Sequence, residues 1–312
     1  MSKDQLEVGK PRRRHPAWLK VKAPFGADVQ RLRKLLTRME LNTVCQEAVC
    51  PNMGECWAHG VATFMILGDI CTRGCRYCAV SKGKPGELDR REPERVAEAV
   101  AAMKLSHIVI TSVNRDDLED GGAGIFAETI RQIRYGSSGC SIEVLVPDFQ
   151  GSDSALRIVL EADPEVFSHN IETVPRLYRT ARGGGRYNVS LRMLDRAKEL
   201  KPESITKTGL MLGLGENSDE IKAVMEDLVG RNVNILTLGQ YLRPSRWHLP
   251  VVRHYEPDEF LNWKEVGEEM GFDYVESGPL VRSSYMADRQ FKAAGEKMNA
   301  SSLGATGLVQ LR

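Results

Sequence analysis

From about residue 63 the chain repeats one pattern, and that pattern leaves few folds open. Short β-rich runs stand at 64–67, 107–113, 142–146, 166–171, 206–212 and 235–241, and amphipathic helical segments such as 93–104, 125–135, 218–229 and 258–270 lie between most of them. Strands alternating with helices at this spacing predict βα units and a parallel sheet. Six units are too few for a complete eight-stranded barrel but enough for an open one. The expected fold class is therefore α/β, a partial (β/α)6-type parallel barrel over residues 61–280. Residues 1–60 read as an N-terminal extension with one helical stretch at 28–40, and residues 281–312 as a C-terminal extension. No strong linker or low-complexity block divides the pattern, and the glycine runs at 121–124 and 183–185 read as loops.

In parallel α/β folds the active site gathers at the C-terminal ends of the strands. The first run ends at Leu67, and a cysteine-rich loop begins four residues later. Six of the seven cysteines fall into two triplets, Cys45-x4-Cys50-x5-Cys56 and Cys71-x3-Cys75-x2-Cys78. How they read depends on the compartment. No stretch approaches the roughly 20 apolar residues that cross a bilayer, and the first 20 residues hold no apolar core of a secretory signal. A cytoplasmic protein is expected, where disulfides are rare and clustered cysteines favour metal or redox chemistry. The 43 basic and 42 acidic residues leave a net charge of +1, which gives no case for a nucleic-acid or membrane-surface binder. Arg12-Arg13-Arg14 reads as a solvated tail.

Three thiolates on a short loop suit a soft metal or a cubane cluster. A structural zinc site takes four ligands, and neither triplet supplies a fourth cysteine or a histidine at zinc-finger spacing. Three thiolates on a four-iron cubane leave one iron open to a substrate or cofactor. Cys140 stands alone before a strand and reads as a core residue.

The loop 71–78, CTRGCRYC, resembles that of the radical S-adenosylmethionine superfamily, whose CxxxCxΦC loop follows the first strand of a partial α/β barrel; Tyr77 takes the aromatic position. The resemblance implies a [4Fe–4S] cluster on Cys71, Cys75 and Cys78, whose open iron binds the amino and carboxylate groups of S-adenosylmethionine. An electron from that cluster cleaves the sulfonium to methionine and a 5′-deoxyadenosyl radical. The first triplet narrows the choice. CQEAVCPNMGEC at 45–56 resembles the lipoyl synthase family, as do GD at 68–69, DDL at 116–118, DGG at 120–122, HNIETV at 169–174, GLMLGLGE at 209–216, QYLRPS at 240–245 and RSSY at 282–285.

That resemblance implies insertion of sulfur at C6 and C8 of an octanoyl chain. The chain is carried on a lysine of a lipoyl carrier protein, either the E2 lipoyl domain of a dehydrogenase complex or the glycine cleavage H protein. The C–H bonds concerned carry no activating group, so acid–base side chains cannot break them and a radical is needed. A reducing electron donor is implied, and neither nucleic acid nor membrane. A second [4Fe–4S] cluster on Cys45, Cys50 and Cys56 is implied as the sulfur donor, with an RSSY serine as its fourth ligand; Ser284 is favoured over Ser283. Serine oxygen is a harder, weaker partner for iron than thiolate, which suits a cluster that is consumed.

Contacts to S-adenosylmethionine are expected from Tyr77 to the adenine, from Asn170 and Glu172 to the ribose, and from Asn114 and Arg192 to the methionine end. Gly213 and Gly215 are expected to let the backbone approach the adenosyl group. His169 reads as a satisfied core or loop histidine. Tyr241, Arg243 and Arg246 follow the last strand run, on the face where a carrier must deliver its lysine. Two alternatives stand: another two-cluster radical enzyme that inserts sulfur, and a non-catalytic iron–sulfur carrier. A triplet placed before the radical loop and RSSY near the C-terminus oppose the first, and six βα units around an open iron oppose the second.

Overall fold

A computed structural model describes residues 16–20, 27–47, 50–59 and 61–306; the basic run at 12–14 lies outside them. The elements in chain order are α1 (Ala27–Arg38), β1 (Asn42–Thr43), α2 (Val44–Glu47), α3 (Met53–Ala58), β2 (Val61–Ile66), β3 (Ile70–Cys71) and β4 (Ser81–Lys82). There follow α4 (Glu92–Met103), β5 (His107–Ser112), α5 (Ala123–Gly136), β6 (Ser141–Leu145), α6 (Asp153–Glu161), β7 (Val166–Ser168), α7 (Pro175–Ala181) and α8 (Tyr187–Leu200). The chain closes with β8 (Ile205–Leu212), α9 (Ser218–Val229), β9 (Ile235–Gln240), α10 (Pro257–Met270), β10 (Tyr274–Gly278) and α11 (Ala287–Thr306).

One eight-stranded sheet runs in the order β1-β2-β5-β6-β7-β8-β9-β10, open between its two edges. β1 is antiparallel to β2, and every other neighbour pair is parallel. All six expected runs form strands of the open α/β barrel. Every residue of β2 and of β9 is buried, which is why strands covered on both faces read as mostly apolar runs without a polar alternation. A seventh parallel strand, β10, joins the six expected runs at the edge of the sheet. It is an edge strand with only Val275 buried, so its sequence, YVESG, carries no apolar run.

Helix ends are written locally. Asn217 and Glu220 form a reciprocal capping box at the start of α9, and Glu256 and Glu259 another at α10. Pro93 and Pro257 sit in the first turns of α4 and α10, where the missing N–H costs nothing.

The N-terminal extension is joined to the barrel through β1 and through one continuous apolar cluster that runs from Leu36 and Trp57 to Phe64, Ile110 and Val144. At the opposite end α11 packs across the first residues of β7, β8 and β9, where Ala294 meets Val166, Ile205 and Ile235. Inside the barrel, Lys207 Nζ lies 2.9 Å from Glu143 Oε2 with both side chains fully buried. His107 Nε2 stands 3.9 Å from the same oxygen. Burial, with Lys207 and Lys292 adding to it, holds the His107 ring neutral by lowering its pKa to about 3. Among the described residues no helix is long and apolar enough to cross a membrane.

Candidate active site

β2 ends in a reversal. Leu67 and Gly68 both take positive φ, the Leu67 N–H donates to buried Glu92 Oε2 at 2.7 Å, and Leu67 packs so closely on Gly122 that a Cβ there would fall 2.3 Å from its side chain. The cysteine loop that follows is clamped to its neighbours. Arg73 reaches Asp116 after β5 and Asp148 after β6, with its N–H groups 2.7 and 2.8 Å from their oxygens. The Thr72 hydroxyl donates to Asn114 O and Asp116 Oδ2, and Cys71 Sγ accepts from the backbone N–H of Arg73 and of Asn114 at 3.4 and 3.3 Å. On the far side Arg76 N–H donates to Ala181 O at 2.8 Å. Gly183 approaches Gly74 O so closely that a Cβ would lie 2.9 Å away, which is the use of the glycine run.

The first triplet sits on α2, the turn after it and α3. Cys45 and Cys56 are buried and Cys50 half-buried. Asn52 ties this turn to the C-terminal segment by donating to Leu280 O at 2.6 Å, and Tyr285 OH reaches the Glu55 carboxylate at 3.4 Å. The strand order thereby brings residues 45–56 and 280–285 to one place.

All six cysteines of the two triplets and Ser284 line one cavity of about 650 Å3 at the C-terminal ends of the parallel strands. Tyr77, Asn114, Asn170 and Glu172 line it too, as do Tyr241 and Arg243. Cys140 lies apart in the core, 2% exposed. None of the seven thiols is in a disulfide. Burial pushes the Cys45 thiol up to about 11 and those of Cys56 and Cys78 to about 12, and raises Cys50 and Cys75 as well. The charges that add to the burial at Cys56 come first from Cys50 and Cys45, and those at Cys78 from Cys75, Glu172 and Cys71, so each triplet is its own group. Among the described residues no three candidate ligands converge as they would on a single ion. Thiolates on one zinc lie within about 4 Å of one another, whereas a cubane takes each on a separate corner. Buried or half-buried free thiols in sets of three fit a cubane, which takes three and leaves an open iron, better than a closed zinc site, which takes four, and binding a cluster releases their protons.

The remaining lining residues are polar and tightly placed. Asn170 Nδ2 donates to Glu172 Oε1 at 3.2 Å and to Ser283 Oγ at 3.3 Å, while its buried Oδ1 has no partner among the described residues. Burial raises the Glu172 carboxyl above its ordinary range. Ser284 makes no hydrogen bond among the described residues, in contrast to Ser283.

Three expected cofactor contacts lie elsewhere. Arg192 projects from the outer face of α8, 64% exposed and 3.7 Å from Asp153, because Leu191, Met193 and Leu194 take the inward positions of that helix. Gly213 and Gly215 have φ of +110° and +113° but form a turn outside the cavity. The Glu216 carboxylate closes that turn by accepting from Gly213 and Leu214 N–H at 2.5 and 3.0 Å. A Cβ on Gly213 would strike Gln240 at 2.2 Å, so this glycine serves packing. His169 is a satisfied core histidine, between Val146 O at 2.9 Å and Ser190 Oγ at 3.0 Å, with its pKa lowered by burial to about 3. Arg246 lies outside the cavity lining.

Two other lining residues were given no contact of their own by the sequence, although Gly209 opens the stretch GLMLGLGE. Gly209 lies where a Cβ would come 2.9 Å from Asn170 Oδ1, and Arg182 donates to Asn170 O at 2.6 Å and to Ser190 Oγ at 3.2 Å. The glycine run after Arg182 was the one available hint to it.

Comparison with known proteins agrees with this geometry. A family profile described as the radical SAM superfamily matches residues 65–228, and one described as the N-terminal domain of lipoyl synthase matches residues 2–50. The lipoyl synthase of Koribacter versatilis is 57% identical over 91% of this chain and 93% of its own length; that of Rubrobacter xylanophilus is 53% identical over 97% and 94%. In fold, the chain is similar to Streptococcus suis SuiB bound to precursor peptide SuiA, with a TM-score of 0.56 and 9% identity over 80% of this chain and 53% of that one. With identity of this order across nearly its whole length, the chain belongs to the lipoyl synthase family of radical S-adenosylmethionine enzymes, sulfur-inserting transferases that work with a [4Fe–4S] cluster and S-adenosylmethionine.

Proposed function

We propose that Cys71, Cys75 and Cys78 hold the cluster that binds S-adenosylmethionine. Cys45, Cys50, Cys56 and Ser284 hold a second [4Fe–4S] cluster, from which the inserted sulfur is drawn. The observation that carries this reading is the opening of both triplets and of Ser284 onto one cavity. When bound, the clusters and the cofactor supply the electron, the radical and the sulfur, none of which side chains can provide.

The protein's own part is placement. Arg73, braced on Asp116 and Asp148, keeps the radical-cluster loop against the strand ends. The unpartnered Asn170 Oδ1 is a ready acceptor for a ribose hydroxyl, and the adjoining Glu172 carboxyl, raised by burial, favours a hydrogen-bonded partner over open charge. We assign the ribose to this pair, the adenine to Tyr77 and the methionine end to Asn114. Ser284 is preferred to Ser283 as ligand because the Ser283 oxygen already accepts from Asn170. The apolar walls near Val44, Val61 and Met65 suit an octanoyl chain and keep water from a radical.

The substrate is octanoyl-lysine on a lipoyl carrier, an E2 lipoyl domain or the glycine cleavage H protein, and a reducing electron donor completes the set. Residues 61–280 are the catalytic barrel, with 1–60 and 281–312 as extensions that bring the second cluster to it, and the reducing cytoplasm suits seven free thiols. Anaerobic incubation of the reconstituted protein with S-adenosylmethionine, dithionite and an octanoyl-lysine peptide tests the reading by mass spectrometry. Dithiolated peptide is expected. Formation of 5′-deoxyadenosine with no sulfur gained overturns the donor assignment.

A further inference from the structure

The loop between β9 and α10 carries groups that a protein surface ordinarily hides or pairs. Trp247 is 76% exposed and Val252 62%. The Arg246 guanidinium stacks on the Trp247 ring, 4.6 Å from its centroid. Yet the loop is firmly held. Ser245 Oγ and His248 Nδ1 are 2.9 Å apart, His248 Nε2 lies 2.8 Å from Cys78 O, and Leu249 N–H donates to Arg76 O at 2.9 Å. Arg243 donates to the carbonyls of His248 and Arg246. Trp247 is therefore presented to solvent by a loop pinned on the radical-cluster loop.

Charge and shape agree around it. Among the described residues Arg76, Arg243 and Arg246 have no carboxylate within ion-pair distance, whereas Arg73 has two and Arg115, Arg176 and Arg253 have one each. Beside them lies an apolar pocket of about 180 Å3, lined by Leu177, Leu214, Leu249, Pro250 and Val252 among others. Arg243 and Pro244 also line the large cavity, so this face borders the route into it.

We propose that this face, with Trp247 and the apolar pocket framed by Arg76, Arg243 and Arg246, is the docking surface for the carrier domain that delivers octanoyl-lysine, and that the carrier is acidic around that lysine. The inference rests on the proposed function for its substrate. Three guanidinium groups with no carboxylate partner among the described residues select carboxylates and repel a basic partner. An exposed tryptophan over an arginine is the kind of pair that carries binding energy once water is excluded. Continuity with the cavity ties the surface to the delivery of a lysyl arm.

The test measures binding of an isolated octanoylated E2 lipoyl domain to the reconstituted enzyme, alongside turnover of a short octanoyl-lysine peptide that does not reach the face. Trp247→Ala and Arg246→Glu should each raise the Kd for the domain about tenfold or more and leave peptide turnover unchanged. Trp247→Phe, which keeps a ring, should recover most of the binding, and added salt should weaken the wild-type complex more than that of Arg246→Glu. Unchanged domain binding in both variants overturns the docking surface. A wild-type dimer that Trp247→Ala splits, with domain binding intact, also overturns it, because the face then belongs to a second copy. If the peptide gains no sulfur even with the wild type while the domain still binds through Trp247, the sulfur-insertion reading falls and the docking surface stands.

Discussion

Asn170 donates a hydrogen bond from Nδ2 to Ser283 Oγ at 3.3 Å, and so ties the segment after β7 to the residue beside Ser284. The two lie 113 positions apart in the chain. One neighbour of the pair Ser283-Ser284 is thereby occupied within the protein, and the other is left to the cavity.

This division predicts unequal consequences for the two serines. Ser284→Ala should leave 5′-deoxyadenosine formation intact and cut dithiolated product by more than the roughly tenfold typical of losing a supporting partner around a metal. Ser284→Cys should give an iron-replete protein that yields little product, since thiolate holds iron more firmly than an alkoxide. Ser283→Ala should be milder. Damage from Ser283→Ala with a silent Ser284→Ala would transfer the ligand role to Ser283.

The triplets should separate the two halves of the chemistry. Each triple alanine variant is expected to lose about four irons of about eight. Replacing Cys71, Cys75 and Cys78 should abolish 5′-deoxyadenosine, whereas replacing Cys45, Cys50 and Cys56 should spare it and abolish sulfur insertion. Iron analysis and chromatography of the nucleoside decide between these outcomes; thiolation by the variant lacking Cys45, Cys50 and Cys56 would sink the donor assignment.

Arg73 should matter to stability as well as to cofactor cleavage. Its side chain is 9% exposed and that of Asp148 is 3% exposed, so Arg73→Ala leaves a buried carboxylate unpaired, at a cost of about 3–5 kcal/mol. Arg73→Lys keeps the charge but cannot serve Asp116 and Asp148 together, and should lie between. Anaerobic denaturant unfolding measures this; a wild-type midpoint for Arg73→Ala would show that the clamp is dispensable.

His107 should make stability depend on pH in a defined direction. Folding lowers its pKa from 6.5 to about 3, so between those values the unfolded chain binds a proton that the folded one does not. Its contribution is complete above the unfolded value and is lost as pH falls toward 3. At pH 5.5, one unit below the unfolded value, the loss is about 1.4 kcal/mol for this one group. His107→Asn should therefore lose less stability than the wild type between pH 7.5 and 5.5, in a range mild enough to compare both proteins with their clusters in place. Equal slopes would show that His107 is not held neutral.

Much of the chain could be read without coordinates because the relevant information is local. Strands buried on both faces, such as β2 and β9, are dominated by apolar residues over their whole length. Whether three thiols can share a cluster depends on the few residues between them, so spacing alone picks out Cys71, Cys75 and Cys78, and Cys45, Cys50 and Cys56, as candidates. Even the expected contacts that do not line the cavity had sound local grounds. Gly213 and Gly215 do sit at positive φ, but the turn they allow lies outside the cavity lining, and at Gly213 it is packed by Glu216, Gln240 and the Arg253 backbone.

What the sequence determined by itself was the alternation of strand and helix, the two sets of thiols and their family. The tertiary structure alone decided which distant residues face them. It turned Arg192 outward through the helical phase of α8, added the half-buried edge strand β10, and set Arg73 between Asp116 and Asp148. It also placed Gly209 under Asn170 and distinguished Ser283 from Ser284 by one hydrogen bond. The physical reason is one of range. Backbone periodicity and loop spacing act over a few residues and leave their mark in the letters. Contacts between strand ends depend on the order in which strands enter the sheet and on the side chain that each helix turns inward, and no short stretch of sequence contains that.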